Sequence, residues 1–165
     1  MRHLRLSQTT IGRSFTRRRR AGLASVVVVV GGLAIAAAGS AVAPTGRYTI
    51  DHGAVTDVKT KLTWQQAISS TIYTQADAAT ACATLSLNGG GWRLPTVKEL
   101  VTLVDVSVAS GPTIDSTAFP DTPSGPFWSA TPSAEVAGDA WAVYFSGGNA
   151  YRDEISNSDY VRCVR

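Results

Sequence analysis

After residue 46 the hydrophobic pattern changes period repeatedly. Val55–Trp64 reads V-T-D-V-K-T-K-L-T-W, rich in β-formers and broken by polar residues at Lys59–Lys61. It predicts a hairpin with Leu62 and Trp64 facing inward, after a first strand at Arg47–Ile50 and a turn at Asp51-His52-Gly53. A helical period follows. Ala78, Ala81, Cys82 and Leu85 stand at i, i+3, i+4 and i+7, the spacing of one buried helical stripe. Thr74 with Asp77 three positions on supplies a start, and Asn88-Gly89-Gly90-Gly91 a stop.

The second helix is marked more sharply. Pro95 keeps Leu94 extended, Thr96 caps the helix and Glu99 returns the hydrogen bond. Val97, Leu100, Val101 and Val104 form the apolar face, widened by Leu103. From Gly111 to Pro126, four prolines (112, 120, 123 and 126) interrupt regular structure. This predicts a long irregular loop pinned by Phe119 and Phe127, of a length that usually carries function. Period two then returns in Phe127–Ala130 and in Trp141–Phe145, where Trp141, Val143 and Phe145 share a face. A turn at Ser146–Asn149 leads to Ala150–Ile155, and a turn at Ser156–Asp159 to Tyr160–Val164. In that last strand Val161 and Cys163 share one face, and Tyr160, Arg162 and Val164 the other.

Charge divides the chain in two. Arg2, Arg5, Arg13 and Arg17–Arg20 supply seven of the 15 basic residues, while all 12 acidic residues lie at or after Asp51. Ala21–Ala43 is an uncharged run of 23 residues containing Val26–Val30. A basic start, an apolar run and small residues have the layout of a secretory signal. Residues 1–43 are therefore expected to be a signal peptide, with Gly39-Ser40-Ala41 a usable cleavage site. The run also reaches the roughly 20 residues that span a bilayer, so an uncleaved anchor at residues 21–43 is the alternative. Arg19-Arg20 weakly fits a twin-arginine pattern. Every route exports the C-terminal part, to be secreted, periplasmic, cell-surface or membrane-anchored. Any membrane contact is expected only through that N-terminal segment.

The exported part, residues 44–165, carries a net charge of −4, which argues against nucleic acid as a partner. Its only cysteines are Cys82 and Cys163. In an oxidising compartment an even pair reads as one disulfide. Two unpaired buried thiols are the other reading.

Candidate chemistry is sparse. His52 is the only histidine after the leader, so no Ser-His-Asp or Cys-His set assembles. Zinc lacks its usual four ligands. Asp115 and Asp121 in the long loop are the carboxylates that could meet a ligand or calcium, although loop acids usually only solvate. No metal, cofactor or catalytic residue is expected. Arg93 and Arg162 are expected half-buried and paired with Glu99 or Asp105. Four tryptophans are mostly core material, but an exposed one beside the loop could stack on a sugar ring. Trp141, Tyr144 and Tyr151 are the aromatic candidates for a ligand surface.

Four motifs occur in fixed order: T-K-L-T-W-Q at Thr60–Gln65, G-W-R-L-P-T-x-x-E-L at Gly91–Leu100, F-W-S-A-T at Phe127–Thr131 and V-R-C-V-R at Val161–Arg165. Together they resemble the Lcl C-terminal domain family, over roughly residues 48–165, making residues 44–165 one Lcl C-terminal-like domain. Trp92, Arg93, Leu94, Pro95, Thr96, Glu99, Trp128 and Arg162 are its motif residues here. The order is also similar to the C-type-lectin-like fold, in which a helix cysteine pairs with one on the terminal strand. The resemblance implies an α+β architecture: two helices packed on a twisted antiparallel sheet, with a long irregular loop presenting the ligand site.

For function the resemblance implies adhesion or carbohydrate recognition: an exported, non-catalytic module holding a glycan or protein. Fold alone does not license that step. The calcium-dependent sugar-binding triplets Glu-Pro-Asn, Gln-Pro-Asp and Trp-Asn-Asp are absent from the sequence. The sulfated polysaccharides implied by the family's collagen-like adhesin would need basic surface, for which Arg47, Lys59, Lys61 and Lys98 are the available residues. Formylglycine-generating enzymes share the fold and a similar R-L-P-T helix start. A modifying enzyme of that class is one alternative, and a purely structural envelope module is another. Self-association is left open; no repeat or heptad drives it.

Overall fold

A computed structural model describes residues 45–165. The expected signal peptide or anchor, with its cleavage site, lies outside the described residues. Among them, no helix is long and apolar enough to cross a membrane.

The chain is α+β, with two antiparallel three-stranded sheets and two α-helices among the described residues. The first sheet is β1 (Tyr48–Asp51), β2 (Ala54–Asp57) and β3 (Thr63–Gln65), in that order. Asp51 pairs with Ala54 across a two-residue turn in which His52 and Gly53 both take positive φ, 45° and 80°. That is the turn whose twist matches a tight hairpin, and glycine supplies it without strain. The β2–β3 turn is built on Asp57. Its buried carboxylate accepts the Lys59 and Thr60 backbone N–H groups and meets Arg47 at 2.9 Å.

Helix α1 (Gln75–Ala83) starts at Thr74, whose hydroxyl accepts the Asp77 N–H. Ala78 and Cys82 are fully buried, and Leu85 packs at the edge of the same cluster. The helix closes at Ala83, earlier than the glycines suggest. A 3-10 turn at Leu87–Gly89 fills the gap. Helix α2 (Val97–Val101) carries the expected capping box on Thr96 and Glu99. It is shorter than its apolar pattern, because the Leu103 and Val104 N–H groups bond three residues back, a tightened last turn. Leu100 and Leu103 are buried, whereas Val101 is exposed.

The second sheet is β4 (Pro126–Pro132), β5 (Asp139–Tyr144) and β6 (Asn149–Glu154), with a bulge in β4. It stands between two apolar clusters, so β5 is buried on both sides at its centre. Phe127 and Val143 face a cluster with Val55, Trp64, Leu100, Leu103, Phe119 and Phe145. Trp128 and Ala142 face the other, with Ala78, Cys82, Trp92 and Cys163.

Two expectations need correction. The single twisted sheet is instead two sheets. Tyr160–Val164 is not a ladder strand but a run of isolated bridges: Val164 pairs with Trp64 and with Arg93, and Tyr160 with Phe127. Its two faces still divide as period two requires, Val164 and Tyr160 toward one cluster, Val161 and Cys163 toward the other. The long loop is irregular as expected, but much of it is core. Ile114, Ala118 and Phe119 are buried, and so are Thr113, Asp115 and Thr122. Proline kept it out of regular structure without keeping it out of the interior.

Candidate functional site

Trp141 sits in β5 opposite Arg152 of β6. Its alternation with Val143 and Phe145 holds, yet those two are buried and the Trp141 indole is only partly covered. The cause is local. Helix α2 passes over this face but ends at Val101, and of β6 only Ala150 lines the opening, since Arg152 beside it is turned to Glu135. An open depression of about 390 Å³ results, lined by Val97, Lys98, Val101, Trp141 and Ala150. Its volume lies in the range of small ligand sites. Lys98 makes no ion pair among the described residues. Arg152, across the ladder from Trp141, holds Glu135 at 2.9 Å in an exposed pair.

The other aromatic candidates lie elsewhere. Strand alternation places Tyr144 and Tyr151 on the opposite face of the sheet, with ring centroids 6.3 Å apart. The Tyr151 hydroxyl donates to Asp153, and burial, followed by the nearby Asp159 and Asp153 charges, pushes its phenol pKa up. Asp115 is occupied within its loop, where Oδ1 accepts the Thr117 N–H at 2.8 Å and the Ala118 N–H at 3.0 Å. Asp121 is exposed at a positive φ of 57°. Neither aspartate lines the depression. Among the basic residues, Arg47 and Lys59 share a second depression of about 300 Å³, and Lys98 lines the first.

The motif residues build the frame. Trp92 donates its indole N–H to Leu87 at 2.7 Å, and Trp128 to Tyr73 at 2.8 Å. Leu94 and Pro95 are buried. Arg93 grips Glu99 through two hydrogen bonds of 2.6 and 2.8 Å. That contact, then the Thr96 N–H, holds the Glu99 carboxyl down to a pKa of about 2 against the opposing effect of burial. Cys82 and Cys163 are bridged, with Cα atoms 5.3 Å apart, and no described cysteine is free.

Arg162 corrects an expectation. It is fully buried and pairs with no carboxylate among the described residues. Its Nη1 donates to the Gln65 and Gln66 carbonyls at 2.6 and 2.5 Å, and Nη2 to Thr122 Oγ1 at 2.8 Å. The guanidinium lies 4.7 Å over the Phe119 ring. Burial pushes its pKa down to about 9, which leaves it a cation at neutral pH. Carbonyl dipoles and an aromatic face take the place of a counterion.

A model of the Lcl C-terminal domain family matches residues 53–165. The chain belongs to that family. No curated protein matches the sequence. In this Lcl C-terminal domain the four motifs converge in space. Thr63 exchanges backbone hydrogen bonds with Arg165, and Gln65 N–H reaches the Cys163 carbonyl. Arg93 exchanges both of its bonds with Val164, and Trp128 N–H reaches the Tyr160 carbonyl. The V-R-C-V-R run is thus the seam that closes the domain.

Sequence reasoning picked out Trp141 but missed its neighbours. Val97 and Val101 passed as core because they share the apolar face of α2. The helix is five residues long and its apolar stripe, Val97 to Val104, spans eight, so the stripe is not covered along its length.

Proposed function

We propose that this Lcl C-terminal domain is an exported, non-catalytic binding module at the cell envelope or surface, holding a protein or glycan ligand against Trp141. The observation that carries this reading is the part-exposed indole in the apolar depression beside α2. Concave apolar surface around an aromatic group is the usual setting of a ligand site. Export is supported by the order of the first 43 residues, basic and then uncharged. A C-type-lectin-like reading of the fold is supported by the bridge from α1 to the terminal run. On this reading the ligand is met by α2 and the second sheet, because the loop that such folds use for display is folded into the core.

The test pairs wild type with Trp141→Ala on glycan and peptide arrays. Ligands retained by wild type and weakened at least tenfold by the substitution are the expected result. Equal retention by both proteins would remove Trp141 from the site.

A further inference from the structure

Strand β6 is the outer strand of the second sheet. One side pairs with β5 in unbroken register from Asn149 opposite Tyr144 to Glu154 opposite Asp139. Its other side has no strand beside it among the described residues. At the far end that free side is closed off, because Glu154 N–H bonds to Asp153 Oδ1 and the Glu154 carbonyl accepts the Asn157 N–H. From Asn149 to Arg152 the outer groups remain a template for another strand. Ala150 belongs to this open stretch and also lines the depression. An unpaired sheet edge, a helix and an apolar trough therefore adjoin.

We infer that α2 and β6 form a groove for an extended peptide segment of a partner protein, added as a fourth strand beside β6. This rests on the binding-module reading above and names its ligand class. In an added strand, alternate side chains project to the Ala150 face. One apolar side chain enters the depression against Val97, Val101 and Trp141. Its neighbours on the same face, two positions away, meet Lys98 and Arg152. Those cations select carboxylates, so the segment is apolar with an acidic residue at the second position to either side. Lys98 is the stronger of the two, since Arg152 is already paired with Glu135. The chemistry of the trough favours a peptide over a sugar. Its only charged or hydrogen-bonding side groups are the Lys98 ammonium and the Trp141 indole N–H, whereas a sugar ring brings hydroxyls that need partners. A peptide supplies and satisfies backbone groups along the edge, the recognition mode of strand addition.

The test uses the full chain and three fluorescent eight-residue peptides. One alternates threonine with a face that reads aspartate, valine, aspartate, threonine, one has the same composition with the threonines first, and one is the alternating peptide N-methylated at every second amide. Anisotropy should show the alternating peptide binding, and the other two binding at least tenfold more weakly. Lys98→Glu should weaken it about tenfold, and Ala150→Leu, at an exposed position, should block the trough while leaving the thermal melt unchanged. Amide exchange at Asn149–Arg152 should slow when the peptide is added. Equal binding of the N-methylated peptide, or no added protection at β6, overturns strand addition. If sugars bind in a Trp141-dependent manner and no peptide does, the peptide assignment fails while the binding module stands. If nothing binds and Trp141→Ala changes nothing, both fail.

Discussion

Replacing Cys82 and Cys163 together by alanine removes a crosslink between positions 81 apart in sequence. In the chain-entropy account, closing a loop of that size restricts the unfolded ensemble by about 4.5 kcal/mol. Both residues are buried in the cluster between α1 and the second sheet. Deleting two sulfurs there adds a void worth roughly 1 kcal/mol. Alanine is the right replacement because serine would also bury a hydroxyl without a partner. The sum is a large share of the roughly 5–15 kcal/mol that holds a domain folded. Urea unfolding followed by far-UV circular dichroism measures it. With a slope of about 2 kcal/mol per molar, the midpoint should fall by roughly 2–3 M. The slope itself should rise, because the unfolded chain is no longer held compact. Wild type under reductant should behave like the double variant to within about 1 kcal/mol. A loss below about 1 kcal/mol with an unchanged slope would refute the view that the bridge acts by restricting the unfolded state.

Three further outcomes follow from named residues. Glu99→Gln should cost about 1 kcal/mol at pH 7, discounted because Arg93 is half exposed. Since the Glu99 pKa is depressed, its contribution is present above about pH 4.5 and lost as pH falls toward 2, so melts of the two proteins should converge in acid. Asp159 behaves in the opposite sense: burial, then the Asp153 charge, raises its pKa from 3.8 to about 6, and its Oδ2 meets no hydrogen-bond donor among the described residues. Stability from this group is lowest above pH 6 and rises as pH falls toward 4, by no more than about 3 kcal/mol. Asp159→Asn should lift stability at pH 7–8 and flatten that profile, and thermal melts across the pH range that stay parallel to wild type would sink the claim. Gly148→Ala should lose about 2–4 kcal/mol in urea titrations: its φ is +75° and a Cβ would stand 2.5 Å from Val104 Cγ1. A loss below 1 kcal/mol would mean that this turn yields easily.

The parts legible in the sequence were those set by local rules. Thr96 and Glu99 form a capping box because four adjacent residues suffice to make one. The faces of Tyr160–Val164 follow from side-chain alternation alone, whatever pairs with the run. The parts that were not legible depend on distant neighbours. Val101 sits in a correct apolar period, but the chain turns away before its stripe is covered. Arg162 invited a carboxylate partner, and the fold offers two carbonyls from β3 and the segment after it, 96 and 97 positions earlier. No periodicity reports such a contact. The loop from Gly111 to Pro126 was read as irregular because prolines are local, while its burial is a tertiary fact. A loop carboxylate such as Asp115 can solvate, bind a ligand or stitch a turn, and only the Thr117 and Ala118 N–H groups decide for the last.

The division between frame and surface runs through the second motif itself. In G-W-R-L-P-T-x-x-E-L, Trp92, Leu94, Pro95 and Leu100 are buried, and Arg93, Thr96 and Glu99 lock the start of α2. The two unspecified positions are Val97 and Lys98, and both line the depression. Trp141 and Ala150 fall between the third and fourth motifs, and Val101 just after the second. Every residue that lines the trough therefore lies outside the specified letters of the four motifs. A frame closed by the terminal run, the bridge and buried Arg162 can keep its shape while these five positions change. The specified letters of the motif account for how the domain holds together, and the residues that line the trough lie outside them.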